Sequence, residues 1–332
     1  MKVLIFSHGS DIDGMGSVVL SKLVFDKVDY VLSPGFGELE PVFRSYLESG
    51  KLDEYDRVYI TDLPLFQPSL DLVANDIKLR DKVLIFDHHS GSLAEGCGIY
   101  DFENITEIGE DGKKTCGTEL FYRHLCSKGY LKNNEILDEF VELTRLEDSW
   151  DWKEDTRYGI KAHELAILFN SFGDTGVYID SMVNKLSFCE VFNYSDMEKK
   201  LIQLKKDDYE KVIKSYMDEA EYFVDEDGNK FCAVFAKYEY RNEITEYIER
   251  TGNPNDVEYA IIVALDRGAN GKKSYRSISG RVVDLNVIAV RHGGGGHPDA
   301  ASVTVSKEQK EMSLTLKKRD ALEYLVNSVY SE

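Results

Sequence analysis

The stretch KVLIFSHGSDIDGMGSVVLSKLVFDKVDYVL, residues 2–32, decides the fold of the first half of the chain. Lys2–His8 has the apolar run of a buried strand, Met15–Asp26 has the apolar spacing of a helix, and Asp29–Leu32 predicts a second short strand. Strand, helix and strand in this order form a β-α-β unit, whose crossover is right-handed. A parallel sheet therefore begins at the N-terminus.

The alternation continues through the first hundred residues. Helices are predicted at Glu38–Glu48 and Ser69–Leu79, and strands at Arg57–Thr61 and Lys82–Asp87. Repeated units of this kind predict an α/β fold with a doubly wound, mainly parallel sheet and helices on both faces. Ligands of such sheets bind beyond the carboxyl ends of the strands.

The second half of the chain predicts a smaller α/β domain. Thr115–Leu186 is mostly helical in pattern, and the charged, amphipathic stretch Asp196–Tyr222 fits either a linker or a surface helix of the first domain. A new alternation follows, with elements at Lys230–Ala236, Arg241–Thr251, Glu258–Leu265, Ser274–Ser279, Asp284–Arg291, Ala301–Val305 and Lys317–Val329. We predict domains at 1–190 and 223–332, a helical linker at 191–222, and a bilobed molecule with a central cleft.

Composition limits the partners and the compartment. The 332 residues carry a formal net charge of −20, which disfavours a long duplex nucleic acid but allows a small phosphorylated ligand held by local cations. No apolar run approaches the roughly 20 residues that span a bilayer, so no membrane is expected. The five cysteines are scattered and form no CxxC pair, so we expect a cytoplasmic protein without disulfides, and a homodimer stays open.

Four segments rich in Asp and His carry the candidate chemistry: Ser7–Gly14, Ile60–Pro64, Phe86–Ser90 and Glu147–Trp152. Three of them directly follow strands. Mixed carboxylate and imidazole ligands suit Mn²⁺, Fe²⁺ or Zn²⁺. So many carboxylates would repel one another unless cations neutralised them. A two-metal centre, with ions ~3.5–4 Å apart, meets both conditions and favours phosphoryl chemistry. Each segment alone could be a turn or a surface pair, but three of the seven histidines occur in them.

Two segments of the second domain could bind an anion. Ser274–Ser277 contains Arg276, and the run Arg291–Ala301 contains four consecutive glycines, Gly293–Gly296. Glycines allow close approach of the backbone and present several N–H groups to an anion. The run lies between a predicted helix and a predicted strand, so we favour a binding loop over a flexible linker.

Together these segments resemble the DHH phosphoesterase superfamily with its DHH-associated C-terminal domain. Asp87-His88-His89 is similar to the triplet that names the family, and Gly293–His297 followed by Ala300-Ala301 resembles the signature of the associated domain. The resemblance covers essentially the whole chain and is strongest to nanoRNase and oligoribonuclease-like enzymes. It implies a centre of two metal ions, usually Mn²⁺, with Mg²⁺, Fe²⁺ or Co²⁺ as alternatives.

The resemblance also implies roles for single residues. Six would be metal ligands: His8, Asp11, Asp13, Asp62, His88 and Asp148. His8 and Asp11 would bind one ion, and Asp62 would bridge both. Asp151 competes with Asp148, which is favoured because Asp-Ser-Trp resembles the Asp-x-Trp form of relatives. Asp87 would orient a histidine, and His89 would lie near the scissile phosphate. The implied substrate-binding residues are Arg276, Ser277, Gly294, Gly295, Gly296 and His297.

These observations predict a metal-dependent phosphodiesterase that hydrolyses short single-stranded oligonucleotides or dinucleotides. Alternatives within the superfamily are a cyclic-dinucleotide phosphodiesterase, a 3′-phosphoadenosine 5′-phosphate phosphatase and a RecJ-like exonuclease. The last is disfavoured by the acidity of the chain. A nucleotide-binding regulator without activity is the alternative from another class, but a binding protein has no need for so many adjacent carboxylates.

Overall fold

A computed structural model describes residues 1–33, 36–89, 100–266, 270–278, 283–296 and 298–329. The chain divides into two compact units, Met1–Gln203 and Leu204–Glu332. None of the helices in the described ranges is long and apolar enough to cross a membrane.

The first unit contains a five-stranded, fully parallel sheet in the order β2-β1-β3-β4-β5. Its strands are β1 (Lys2–His8), β2 (Lys27–Ser33), β3 (Arg57–Thr61), β4 (Val83–Asp87) and β5 (Glu103–Ile105). The connecting helices are α1 (Ile12–Val24), α2 (Phe36–Glu48), α3 (Gln67–Asn75) and α4 (Ile77–Arg80). Because β1 lies between β2 and β3, the chain winds outward from it in both directions, as predicted.

Both faces of this sheet are covered, which explains its apolar strands. Val3 and Ile5 belong to one apolar cluster, whereas Leu4 and Phe6 belong to another on the opposite face. This alternation follows from the two-residue period of a strand. The helices that complete the unit are α5 (Gly117–Ser127), α6 (Glu135–Asp148), α7 (Gly159–Ser171), α8 (Thr175–Phe188) and α9 (Asp196–Met217), and α9 runs into the second unit.

The second unit contains a six-stranded mixed sheet in the order β10-β11-β9-β8-β7-β6; among the described residues, β7 and β8 form its parallel pair and the other neighbours are antiparallel. Its strands are β6 (Glu221–Val224), β7 (Lys230–Phe235), β8 (Tyr259–Ala264), β9 (Gly271–Ser277), β10 (Gly295–Gly296) and β11 (Ala300–Val305). Its helices are α10 (Arg241–Arg250), α11 (Leu285–Arg291), α12 (Lys307–Ser313) and α13 (Lys318–Asn327). The predicted α/β class is confirmed for both units.

The structure differs from the predicted elements at a few ends. The predicted helix Ser69–Leu79 breaks at Asp76, whose side chain accepts a hydrogen bond from Lys78 N at 2.8 Å and so caps a new short helix. The predicted stretch Asp196–Tyr222 ends as a helix at Met217, and Tyr222 lies in β6. The division at 1–190, 191–222 and 223–332 stays a prediction, as does the cleft; the two compact units meet in sequence within α9.

Candidate metal centre

The candidate centre lies at the carboxyl edge of the parallel sheet. His8 is the last residue of β1, Asp62 follows β3, and His88 follows β4. Strands β1, β3 and β4 are neighbours, with Ser7 paired to Thr61 and Thr61 paired to Phe86. Their ends therefore meet at one point, although the three segments are far apart in sequence.

One group of ligand atoms surrounds His8. Its Nδ1 lies 2.6 Å from Asp11 Oδ2 and 3.5 Å from Asp62 Oδ2. Asp11 is also the N-cap of α1, because its other oxygen accepts a hydrogen bond from Gly14 N at 3.1 Å. The helix start therefore fixes the side chain that faces His8.

A second group surrounds His88. Its Nε2 lies 3.3 Å from Asp62 Oδ1, 3.4 Å from Asp148 Oδ2 and 3.8 Å from Asp13 Oδ2. Asp62 thus presents one carboxylate oxygen to each histidine group. Asp148 reaches the group from the last residue of α6.

Asp13 is fully buried and is fixed by the N-terminus of α5. Its two carboxylate oxygens accept hydrogen bonds from Gly117 N and Thr118 N, both at 2.7 Å. Free amides and the helix dipole both stabilise a carboxylate at this position. Burial, and next the neighbouring Asp62, nevertheless raise the pKa of Asp13 to about 7. Sequence reasoning missed this support, for which the small pair Gly117-Thr118 at the start of the predicted helical region was the signal.

Asp62 has a left-handed backbone with φ of 58°, which only a few non-glycine residues adopt. Gly117 packs directly against it: a Cβ at position 117 would lie 2.8 Å from Asp62 N and 2.9 Å from Asp62 Cβ. A glycine at the start of α5 therefore lets the Asp62 turn approach the helix closely.

The carboxylates strongly favour protonated histidines in the protein without metal. Burial lowers the pKa of both imidazoles, but the surrounding carboxylates outweigh it and raise the pKa of His8 and of His88 to about 11. Burial also opposes ionisation of Asp62, yet the two neighbouring histidines bring its pKa below the usual range. Burial raises the pKa of Asp148. The protons on these histidines hold the place that cations could take.

The donor set fits two divalent ions. Asp62 Oδ2 and Asp148 Oδ2 are buried, and among the described residues they face only the imidazole nitrogens of His8 at 3.5 Å and His88 at 3.4 Å, without hydrogen-bond geometry. Candidate ligand atoms lie within 4.8 Å of one another in the group of His8, Asp11 and Asp62 and in the group of Asp13, His88 and Asp148. Buried carboxylate oxygens without partners are costly unless an ion or water binds them. Oxygen and imidazole donors suit Mn²⁺ and similar ions.

Asp87 and His89 lie beside these groups. Asp87 is fully buried at the end of β4, and its Oδ1 lies 2.7 Å from His89 Nδ1 and accepts a hydrogen bond from His88 N at 2.9 Å. Burial lowers the pKa of His89, but Asp87 outweighs it and raises the pKa above its usual value. The side chain of His89 remains 37% exposed, so a ligand can reach it.

Asp151 lies in a different environment from Asp148. Its Oδ2 accepts a hydrogen bond from Arg145 Nη1 at 2.8 Å, and Arg145 also bonds Glu142. The Arg145 side chain is only 4% exposed, and its hydrogen bond to Asp151 anchors the turn that follows α6. The sequence left the two aspartates as competitors, and the structure brings Asp148 to His88.

In the second unit the structure describes five of the six expected substrate-binding residues; His297 lies outside the described residues. Arg276 Nε donates to Asn242 Oδ1 at 3.0 Å. The N–H groups of Gly294 and Gly296 already donate within the unit, to Ala289 O at 2.9 Å and to Asn286 Oδ1 at 3.0 Å. Ser277 N donates a hydrogen bond to Asp299 O at 3.0 Å. The role of Ser277 and the expected cradle of backbone amides, which includes Gly295, stay predictions.

Comparison with known proteins finds a family domain in the second unit and a relative that is similar over most of the chain. Residues 228–323 match the DHHA1 domain family. Oligoribonuclease NrnB from Bacillus subtilis (strain 168) is 27% identical over 312 residues, which cover 93% of this chain and 74% of that protein.

Two solved structures share the fold. The pGpG-specific phosphodiesterase PggH from Vibrio cholerae has a TM-score of 0.55 at 14% identity, covering 98% of this chain and 99% of that one. A DHH domain described as a member of the s1p family of ribosomal proteins has a TM-score of 0.60 at 14% identity, covering 99% and 87%. The chain therefore contains a DHHA1 domain and is similar over most of its length to an oligoribonuclease, in agreement with the resemblance of its Asp87-His88-His89 triplet to the DHH phosphoesterase superfamily.

Proposed function

We propose that this protein is a metal-dependent phosphodiesterase that hydrolyses short single-stranded oligonucleotides. The observation that carries the proposal is the position of Asp62, which presents Oδ1 to His88 at 3.3 Å and Oδ2 to His8 at 3.5 Å. One carboxylate placed between two ligand groups could serve two neighbouring ions at once. The similarity to NrnB, an oligoribonuclease, and to PggH, a pGpG-specific phosphodiesterase, supports the substrate class.

The six proposed ligands would hold two ions, which we propose to be Mn²⁺; Mg²⁺, Fe²⁺ and Co²⁺ are alternatives. When bound, such ions supply Lewis acidity and lower the pKa of water towards neutrality. The protein supplies position: α5 holds Asp13, and the start of α1 holds Asp11. The buried Asp62 completes both groups. Rigid ligands of this kind fix the reacting atoms relative to each other.

Asp87 and His89 are proposed to act on the phosphate itself. The contact between His89 Nδ1 and Asp87 Oδ1 at 2.7 Å fixes the orientation of the ring. Because the pKa of His89 is raised, the ring stays protonated further towards neutral pH than an isolated histidine. A protonated imidazole near the scissile bond stabilises charge that develops on phosphate oxygens. Asp87 is therefore a positioning residue in this proposal.

Arg276 is proposed to hold a second part of the substrate. A guanidinium can bind a phosphate through two parallel hydrogen bonds, which gives orientation as well as affinity. The net charge of −20 leaves little basic surface to follow a long nucleic acid. Each nucleotide beyond the reach of these contacts would bring a phosphate towards an acidic surface without a partner. Short substrates are therefore favoured.

The test is kcat/KM as a function of oligonucleotide length, measured with Mn²⁺ at two salt concentrations. We expect the highest values for roughly two- to five-nucleotide RNA, because only these gain all contacts in the transition state. Salt dependence should be shallow, with a slope of about −0.7 for each phosphate contacted. A value that rises steadily to twenty nucleotides and falls steeply with salt would favour a RecJ-like exonuclease.

Cyclic dinucleotides and 3′-phosphoadenosine 5′-phosphate belong in the same substrate panel. The likeness to PggH, which is specific for the linear dinucleotide pGpG, favours linear dinucleotides over cyclic ones. We also propose a cytoplasmic location, which is supported by four free thiols among the described residues: Cys116, Cys126, Cys189 and Cys232.

A further inference from the structure

Two cations of the second unit face one aromatic ring. The Cζ atom of Arg241 lies 4.3 Å from the centroid of the Tyr238 ring, and Lys272 Nζ lies 5.3 Å from the same centroid. Arg241 begins α10, Tyr238 belongs to the 3-10 turn Tyr238–Tyr240, and Lys272 lies on β9. Three separate elements therefore bring these side chains to one point.

Arg276 belongs to the same surface. Lys272, Ser274 and Arg276 occupy alternate positions of β9 and so share one face of the sheet. Their partners on β8 include Ile262 and Ala260, which pack in one apolar cluster with residues of α10. A hydrogen bond of 3.0 Å from Arg276 Nε to Asn242 Oδ1 joins β9 to α10 next to Arg241.

The positive charge of this surface is not neutralised within the described residues. No carboxylate among them lies within 4 Å of Arg241, Lys272 or Arg276, whereas other arginines of the unit have such partners, for example Arg250 with Glu210 at 3.3 Å. Burial, and next the charge of Arg241, lower the pKa of Arg276 to about 10. Grouped like charges are unfavourable without a counter-charge. In a chain of net charge −20, carboxylates for this purpose are abundant elsewhere.

Two buried donors at this surface also have no partner among the described residues. They are Arg241 Nε and Ser274 Oγ, and Ser274 is only 1% exposed. A buried donor without an acceptor costs free energy, so native proteins rarely leave one without a partner, whether a protein group or a bound molecule. Oxygens of a bound anion are acceptors that would satisfy donors of this kind.

We propose that Arg241, Lys272 and Ser274, with Tyr238 beneath the two cations, form a second phosphate subsite beside Arg276. The subsite binds a terminal phosphate of a short oligonucleotide, so the enzyme prefers substrates that carry one. This inference rests on the proposed function, because Arg276 is taken there to hold the neighbouring phosphate. Charged hydrogen bonds from a guanidinium and an ammonium are the strong kind that recognise phosphate.

The experiment compares two dinucleotides that differ only in a 5′-terminal phosphate, pApA and ApA. The kcat/KM ratio of pApA to ApA with Mn²⁺ measures the contribution of that phosphate. Affinity for both is also measured by calorimetry in excess chelator, which reports binding without catalysis. The variants are R241A, R241K and K272A, and R250A is the control because Arg250 lies on the same helix and is exposed.

We expect wild type and R250A to favour pApA at least tenfold in both kcat/KM and affinity. R241A and K272A should reduce this ratio to near one, and R241K should keep only part of it, because lysine cannot bind a phosphate through two parallel hydrogen bonds. Thermal unfolding of each variant reports whether it folds, and R241K provides the test if R241A does not.

Two results would overturn the subsite: ratios near one in wild type for both a 5′-terminal phosphate (pApA against ApA) and a 3′-terminal phosphate (ApAp against ApA), or an unchanged ratio in R241A, R241K and K272A. A ratio that instead follows a 3′-terminal phosphate, tested with ApAp, keeps the subsite and reverses its polarity. Absence of hydrolysis of every dinucleotide by wild type with Mn²⁺ would contradict the proposed function. The calorimetric ratio would still decide the subsite in that case.

Discussion

Replacing Gly117 by alanine tests whether the close contact between α5 and Asp62 positions the candidate metal centre. A Cβ at position 117 would lie 2.8 Å from Asp62 N and 2.9 Å from Asp62 Cβ, whereas ordinary contact begins at 3.4 Å. Both of these neighbours belong to the turn that carries the proposed bridging carboxylate. The turn must therefore move by about 0.6 Å, or α5 must move and loosen its hydrogen bonds to Asp13.

The loss of folding stability and the loss of activity in Gly117→Ala can both be estimated. Overpacking in a buried region costs about 1–3 kcal/mol, which a gain of roughly 0.5–1 kcal/mol for alanine over glycine in a helix partly offsets. A displacement of about 1 Å at a catalytic group can lower activity on the order of 100-fold. We therefore expect Gly117→Ala to lose about 1–2 kcal/mol of stability and about 10- to 100-fold in kcat/KM.

The assays are urea unfolding in excess chelator and Mn²⁺-dependent hydrolysis of bis-p-nitrophenyl phosphate. Gly173→Ala is the matched control, because no heavy atom lies within 4 Å of its added Cβ and its φ is not left-handed. It should stay within about 0.5 kcal/mol of wild type. Wild-type stability and activity in Gly117→Ala would refute the argument that this contact fixes Asp62.

Three further predictions concern the ligands and the second unit. Asp148→Asn should lower kcat/KM for Mn²⁺-dependent hydrolysis of the same ester about 100-fold or more, because Asp148 faces His88. Asp151→Asn should lower it only a few-fold, because Asp151 bonds Arg145. If Asp151→Asn lowers kcat/KM more than Asp148→Asn does, Asp151 is the ligand. The pKa values of His8 and His88 are raised to about 11, so Mn²⁺ must displace protons when it binds. The affinity for Mn²⁺ should therefore rise with pH, and the heat of Mn²⁺ binding should depend on the ionisation heat of the buffer. A heat of binding that is independent of the buffer would contradict this. Arg276→Ala should lower kcat/KM for dinucleotides by an amount equivalent to about 1.5–3 kcal/mol of transition-state binding, and should lower kcat/KM for the generic ester much less. Equal losses on both substrates would place Arg276 in the chemical step.

Local patterns predicted the main elements because each is encoded by nearby residues. The apolar run Lys2–His8 and the strand Arg57–Thr61 occur in the structure with the predicted bounds. Since polar residues that follow neighbouring parallel strands must meet, Asp62 and His88 could be brought together from the order of elements alone. The break at Asp76 could also have been read from its capping side chain.

Other features depend on contacts between distant parts of the chain. The left-handed backbone of Asp62 and its packing against Gly117 connect positions that no local pattern relates. The same holds for the α5 amides that bind Asp13 and for the bond between Arg145 and Asp151. Strands β5 and β6 have only three and four residues, which is too short for a two-residue period to be recognised.

The most direct test of the account is a metal titration of the chelator-stripped protein, with bound Mn²⁺ and hydrolysis of pApA followed in the same samples. We predict no hydrolysis without metal, saturation at two ions for each chain, and activity that rises with the second ion. Asp62→Asn should weaken both binding steps, since its two oxygens face both groups. Full hydrolysis of pApA in excess chelator would contradict the metal-dependent phosphodiesterase proposed for this protein.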